Sequence, residues 1–114
     1  MTKTIMLTAL ALALLTTETL AQTSTGGIQR YVSADTLHEW CERKDIRATY
    51  YVAGVLDALM LNANNAPVCL PAESTLTQAR DVVCKYLREN PAKRRYNTAS
   101  SVWSAQSEAW PCKQ

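Results

Sequence analysis

Apolar side chains recur along this chain with the period of an α-helix rather than that of a strand. The strongest run lies between Tyr50 and Leu61, where Val52, Val55, Leu56, Leu59 and Met60 fall at i, i+3, i+4, i+7 and i+8. That spacing puts them on one broad helical face. With Asp45 as its N-cap, this segment reads as the central helix of the domain. Gly54 interrupts it, and a glycine inside a helix costs about 1 kcal/mol relative to alanine. The expected compensation is a neighbouring helix lying close against the bare backbone. Asp57, one turn later, sits on the flank of the stripe as an ordinary solvated or paired carboxylate.

Three more helices are predicted around it. Ser33 or Thr36 can cap the first, with Thr36 and Glu39 forming a capping box. Leu37, Trp40 and Cys41 then share one face, while His38, the only histidine, points elsewhere and is expected in solvent. After the central helix, Asn62-Ala63-Asn64-Asn65-Ala66-Pro67 is a helix-stopping, turn-forming stretch. It is the longest polar connection of the domain, and loops carry recognition more often than cores do, so it is a candidate contact surface. Thr75 and Gln78 form a capping box for the third helix, along which Leu76, Ala79, Val83, Tyr86 and Leu87 follow at helical spacing up to Asn90-Pro91. Asn90 is the expected cap of the last helix, with Pro91 at its first position. Tyr96, Ala99, Val102, Trp103, Gln106 and Trp110 trace its predicted inner stripe, and Asn97, Thr98, Ser100, Ser101, Ser104 and Ser107 its other side. The fold class expected is all-α, a small bundle of four to five helices.

The first fifth of the chain has a different pattern. Lys3 precedes an apolar run of 11 residues, Ile5 to Leu15, and Thr19-Leu20-Ala21 ends the segment. Such a layout is that of a secretory signal peptide, residues 1–21, cleaved after Ala21. The run is too short to cross a bilayer, which takes roughly 20 residues. Residues 22–27, QTSTGG, read as a flexible leader, and the domain as 28–114. No cysteine follows the cut, so the mature chain is expected to be exported and free of the membrane.

Charge and cysteines narrow the class. The net charge of +2 is unchanged by removing Lys3 and Glu18, and Lys93-Arg94-Arg95 is too short a basic run to indicate nucleic acid. Cys41, Cys69, Cys84 and Cys112 all lie in the exported part, an even count that reads as two disulfides in a small secreted domain. Successive cysteines are 28, 15 and 28 residues apart, not the close pairs of a zinc site. Four cysteines allow three connectivities. The interlocked one, Cys41 with Cys84 and Cys69 with Cys112, spans 43 positions in each bridge and ties the C-terminal tail to the Cys69-Leu70-Pro71 turn. It is the pairing we favour.

No catalytic set is evident. A Ser-His-Asp or Cys-His arrangement would need His38, which has no special context, and the cysteines are better explained as bridges. There is no Gly-rich phosphate loop and no H-E-x-x-H. Neither a cofactor nor a metal is expected, and a binder is expected rather than an enzyme. One alternative is an acid-stress chaperone of the Hde type, which is also small, helical and cross-linked. That activity needs carboxylates whose protonation upsets the native state, and no acidic cluster marks such a switch.

The order of short motifs is more specific than any one of them. Leu37 to Cys41 (L-x-x-W-C), Tyr51 to Asp57 (Y-V-A-G-V-L-D), Cys69 to Pro71 (C-L-P), Gln78, Val82 to Pro91 (V-V-C-K-Y-L-x-x-N-P) and Trp110 to Cys112 (W-P-C) together resemble the Rap/Tai family of immunity proteins, which protect bacteria against type VI secretion amidase effectors. One departure concerns the cysteines. The family commonly places one three residues before the tyrosine of Y-x-x-G, where this chain has Ala48, and it has an aliphatic residue where this chain has Cys84. A partner exchange for Cys41, from the second helix to the third, agrees with the pairing above. The resemblance implies a periplasmic protein, often a homodimer, that binds a peptidoglycan amidase and occludes its active site. On that footing the first effector-binding candidates are Asn62, Asn64 and Asn65, followed by Arg94 and Arg95, chosen for their placement in loops.

Overall fold

The computed structural model describes residues 31–65 and 67–113. The predicted signal peptide, the leader and the start of the domain at Ile28 lie outside the described residues. Four α-helices and one 3₁₀ turn make up the fold: α1 Ala34–Glu42, α2 Ile46–Met60, α3 Leu76–Glu89, the 3₁₀ turn Pro91–Arg95 and α4 Thr98–Ala109. No strand occurs among the described residues. The protein is a small all-α bundle with two disulfides, Cys41–Cys84 and Cys69–Cys112.

Local chemistry sets most helix ends. Ser33 caps α1 by accepting from the Thr36 N–H at 3.1 Å. Thr36 and Glu39 do not form the expected box, because the helix is already under way at Ala34 and Thr36 instead shares a hydroxyl contact with Ser33. Asp45 caps α2 by accepting from the Arg47 N–H at 2.9 Å. Thr75 and Gln78 do form their capping box, at 3.1 and 2.8 Å. Between α1 and α2 the chain turns sharply through a Schellman motif. The Lys44 N–H donates to the Cys41 carbonyl, the Asp45 N–H donates to the Trp40 carbonyl, and Lys44 itself adopts φ 53°. Glycine is the usual residue at this left-handed position.

The last helix differs from its prediction. Asn90 does not cap it; its side chain donates to the Tyr86 carbonyl at 2.9 Å, closing α3 instead. Pro91 opens the 3₁₀ turn, and α4 starts seven residues later than Pro91, at Thr98, capped by Asn97. Its buried face is Thr98, Ser101, Val102, Ala105 and Gln106, so Tyr96 and Trp103 are outside the core. Small hydroxyls can be buried here because each finds a carbonyl: Thr98 donates to Val32 at 2.6 Å and Ser101 to Asn97 at 3.3 Å. Gln106 donates to the Ala79 carbonyl at 2.7 Å, a buried bond between α4 and α3. Sequence spacing favoured the larger aromatics, and satisfied small polar groups took their places.

The core is built from all four helices: Leu37 of α1, Val52 and Leu56 of α2, Val83, Tyr86 and Leu87 of α3, and Val102 of α4, with alanines between them. Each fully buried Leu or Val contributes about 1.5–3 kcal/mol of apolar transfer. α3 makes the most extensive packing of any element, with α4 and α2 first and then α1 and the 3₁₀ turn, so α3 is the hub, a role the sequence pattern assigned to α2. The predicted α2 stripe is graded rather than uniform. Val52 and Leu56 are buried, Val55 and Leu59 are half-buried, and Met60 is 51 % exposed. The Cys41–Cys84 bridge fixes α1 to the hub, and Cys69–Cys112 fixes the tail to the chain entering α3.

Candidate functional site

Two surfaces stand out, and neither resembles a catalytic centre. The first is an open apolar hollow between α2 and α4, lined by Tyr50, Tyr51, Gly54, Ala58, Leu59 and Ala99. Gly54 forms part of its lining. A side chain built there would meet nothing within 4 Å, so the expected close approach of a neighbouring helix does not occur. The reason is angular: Gly54 lies about 200° around the helix from Val52, on the side of α2 turned away from the core. The hollow continues along Leu59, Asn65, Ala99 and Ser100 to Trp103. Tyr50 is 68 % exposed at its rim. Tyr51, half-buried, has its hydroxyl raised in pKa by burial, an effect that the nearby Thr98 side chain partly opposes.

The Asn62–Asn65 segment borders this hollow. Asn62 lines the first part and Asn65 the second, and the two side chains are joined by an Nδ2–H···Oδ1 bond of 2.9 Å. The Asn65 N–H also donates to the Asn62 carbonyl at 3.0 Å, so the asparagines form a closed turn. Asn64 is exposed beside them. The two arginines proposed from sequence are held differently. Arg94 is half-buried, and its Nε donates to the Leu87 carbonyl at 2.7 Å, so it satisfies the C-terminal end of α3. Arg95 is exposed and lies over the Tyr96 ring, 5.3 Å from its centroid, and its hydrogen bond to the Tyr96 hydroxyl at 3.4 Å, followed by its charge, lowers the Tyr96 pKa.

The second surface is a cleft of about 500 Å³ between α1, the start of α2 and α3, with the Cys41–Cys84 disulfide and Ala48 in its lining and Trp40, Lys44, Arg80 and Arg88 around it. No motif or periodicity of the sequence gathers these cations, which lie far apart along the chain. Arg47 stacks on Trp40 at 4.8 Å and grips the Asp45 carboxylate. The hydrogen bonds from Arg47 lower the Asp45 pKa from 3.8 to about 2.

His38 is less open than expected. Its side chain is 19 % exposed, and Nδ1 lies 3.9 Å from the Glu42 carboxylate, too far for a hydrogen bond. Nδ1 is thus buried without a partner. Among the described residues no three His, Cys, Asp or Glu side chains gather as a metal site, and no helix is long and apolar enough to cross a membrane.

The described residues thus form a small four-helix bundle stapled by two disulfides, with an aromatic-rimmed hollow and a charged cleft on its surface. The sequence pattern of the Rap1a immunity proteins matches residues 17–112, and the chain belongs to that family. No curated protein and no solved structure matches the chain significantly.

Proposed function

We propose that this immunity protein acts in the periplasm, where it binds a peptidoglycan amidase effector of the type VI secretion system and blocks its active site. Family membership over residues 17–112 carries this reading. Two disulfides suit an oxidising compartment. The hollow supplies what an interface needs: Tyr50 and Trp103 as partly exposed aromatic anchors, Gly54 where a partner backbone can approach closely, and a polar rim at Asn62, Asn64 and Asn65. Arg95 is a further rim candidate, while Arg94 acts through the end of α3. An inhibitor of this kind needs shape and hydrogen bonds rather than chemistry of its own. A homodimer, as the family resemblance implies, would present two such surfaces.

The test is inhibition of peptidoglycan cleavage by residues 22–114, oxidised, mixed with secreted amidases from the same and competing strains. A stoichiometric complex that stops cleavage is the expected result. Full cleavage in the presence of excess protein, for every amidase tried, would overturn the reading.

A further inference from the structure

The cleft over the Cys41–Cys84 bridge contains a local contradiction. Lys44 occupies the left-handed position of the α1 Schellman turn, φ 53°, and is the one non-glycine residue with positive φ among the described residues. An L-residue with a Cβ is strained there, and glycine would relieve the strain. A departure from local preference that persists at the edge of a cleft points toward a use for the side chain.

The surrounding charges give that use a sign. Both carboxylates lining the cleft are already engaged: Asp45 by Arg47 and Asp81 by Arg80, the latter at 2.7 Å. Arg80 is further held by a 3.2 Å bond from Nη1 to the Thr49 hydroxyl, which fixes its guanidinium at the wall. Arg88 has only a 3.8 Å approach to Glu42. Lys44 has no ion pair among the described residues. Three cations therefore face a space of about 500 Å³ whose own acids are occupied, and the disulfide, Ala48 and Trp40 add apolar surface for a short aliphatic stem.

We propose that this cleft is a receptor for an acidic side chain of the bound effector, its carboxylate taken by Lys44 and Arg88 against the fixed guanidinium of Arg80. The proposal rests on the reading of the chain as a binder of a protein effector and adds a second contact, separate from the α2–α4 hollow. A partner loop carrying a glutamate or aspartate fits the charge and the size. Arg presents a planar fork to the carboxylate and Lys a point charge.

The test needs no effector, so its failure is distinct from failure of amidase inhibition. Backbone amide NMR of the oxidised domain is followed during titration with acetyl-Gly-Gly-Glu-Gly-Gly-amide and, separately, with the matching Gln peptide. The Glu peptide should bind in the millimolar range typical of a few exposed polar contacts, shifting the amides of Lys44, Arg80 and Cys84, and the Gln peptide should not. The deciding variant is Lys44→Gly. It removes the backbone strain, so its unfolding midpoint should rise, yet its affinity for the Glu peptide should fall about fivefold, the equivalent of one exposed charge pair. Equal binding of the two peptides, unchanged affinity in Lys44→Gly, or shifts spread equally over Lys93 to Arg95 would each overturn the proposal. Tighter binding of a peptidoglycan stem peptide, which carries the same carboxylate chemistry, would overturn the assignment to a protein side chain.

Discussion

Replacing Gly54 by alanine separates folding from binding at the α2–α4 hollow. In the isolated domain the new methyl meets nothing within 4 Å, so no steric penalty opposes the gain in helix propensity. Gly54 lies in the interior of the fifteen-residue helix α2, away from either cap, where the full propensity difference of about 0.5–1 kcal/mol applies. For a domain of this size that is a rise in Tm of roughly 2–8 °C. If the hollow receives the effector backbone, the same methyl intrudes into the interface, and inhibition of the amidase should weaken although the inhibitor is more stable. Thermal unfolding followed by circular dichroism gives the first quantity, and titration of amidase activity gives the second. An unchanged or lower Tm would refute the helix argument. A raised Tm with undiminished inhibition would remove the hollow from the interface.

Other parts of the structure give further expectations. Each disulfide closes a loop of 43 positions, worth about 4 kcal/mol in the chain-entropy model; the Cys69→Ser, Cys112→Ser double variant should lose stability of that order in urea unfolding, and a loss below 1 kcal/mol would show that the tail contributes little. Thr75→Ala breaks the α3 capping box and should cost about 1 kcal/mol, read from the urea midpoint. Asp45 is depressed from 3.8 to about 2 by Arg47, so the unfolded chain binds its proton more readily as pH falls. The stabilisation is therefore full above about pH 4 and lost towards pH 2. The stability difference between wild type and Asp45→Asn should shrink through that window, and a constant difference would contradict the assignment. Leu87→Ala, in the fully buried hub, should cost about 2–5 kcal/mol, again read in urea.

Much of the local structure was legible because its causes are local. Asp45 and the Thr75–Gln78 pair act on backbone N–H groups two or three residues away, and the helix they start follows from that. The misreadings concern choices that only neighbours can make. Whether Thr98 or Trp103 faces inward depends on whether a carbonyl waits for the hydroxyl, and Val32, distant in sequence, supplies one. Whether α4 starts at Pro91 or Thr98 depends on the 3₁₀ turn packed against α1, α3 and α4. Gly54 looked like a packing glycine, but periodicity cannot tell a face turned to a neighbouring helix from one turned to open space.

The candidate surfaces divide in the same way. The Asn62–Asn65 turn was visible as a polar break in the hydrophobic pattern, although its adjacency to Ala99 and Trp103 was not. Arg94 and Arg95 are neighbours of like charge with different duties, one satisfying the Leu87 carbonyl and the other lying over Tyr96. The cleft was invisible, since Lys44, Arg80 and Arg88 are scattered along the sequence and gathered only when the Cys41–Cys84 bridge holds α1 against α3. By itself the sequence determined the helical class, the main helix-starting signals and the membership in an immunity family, because periodicity, caps and motif order act along the chain. The tertiary structure alone decided which helix is the hub, which face of α4 is buried and where Lys44, Arg80 and Arg88 meet, because those depend on which surfaces the packed core leaves to solvent.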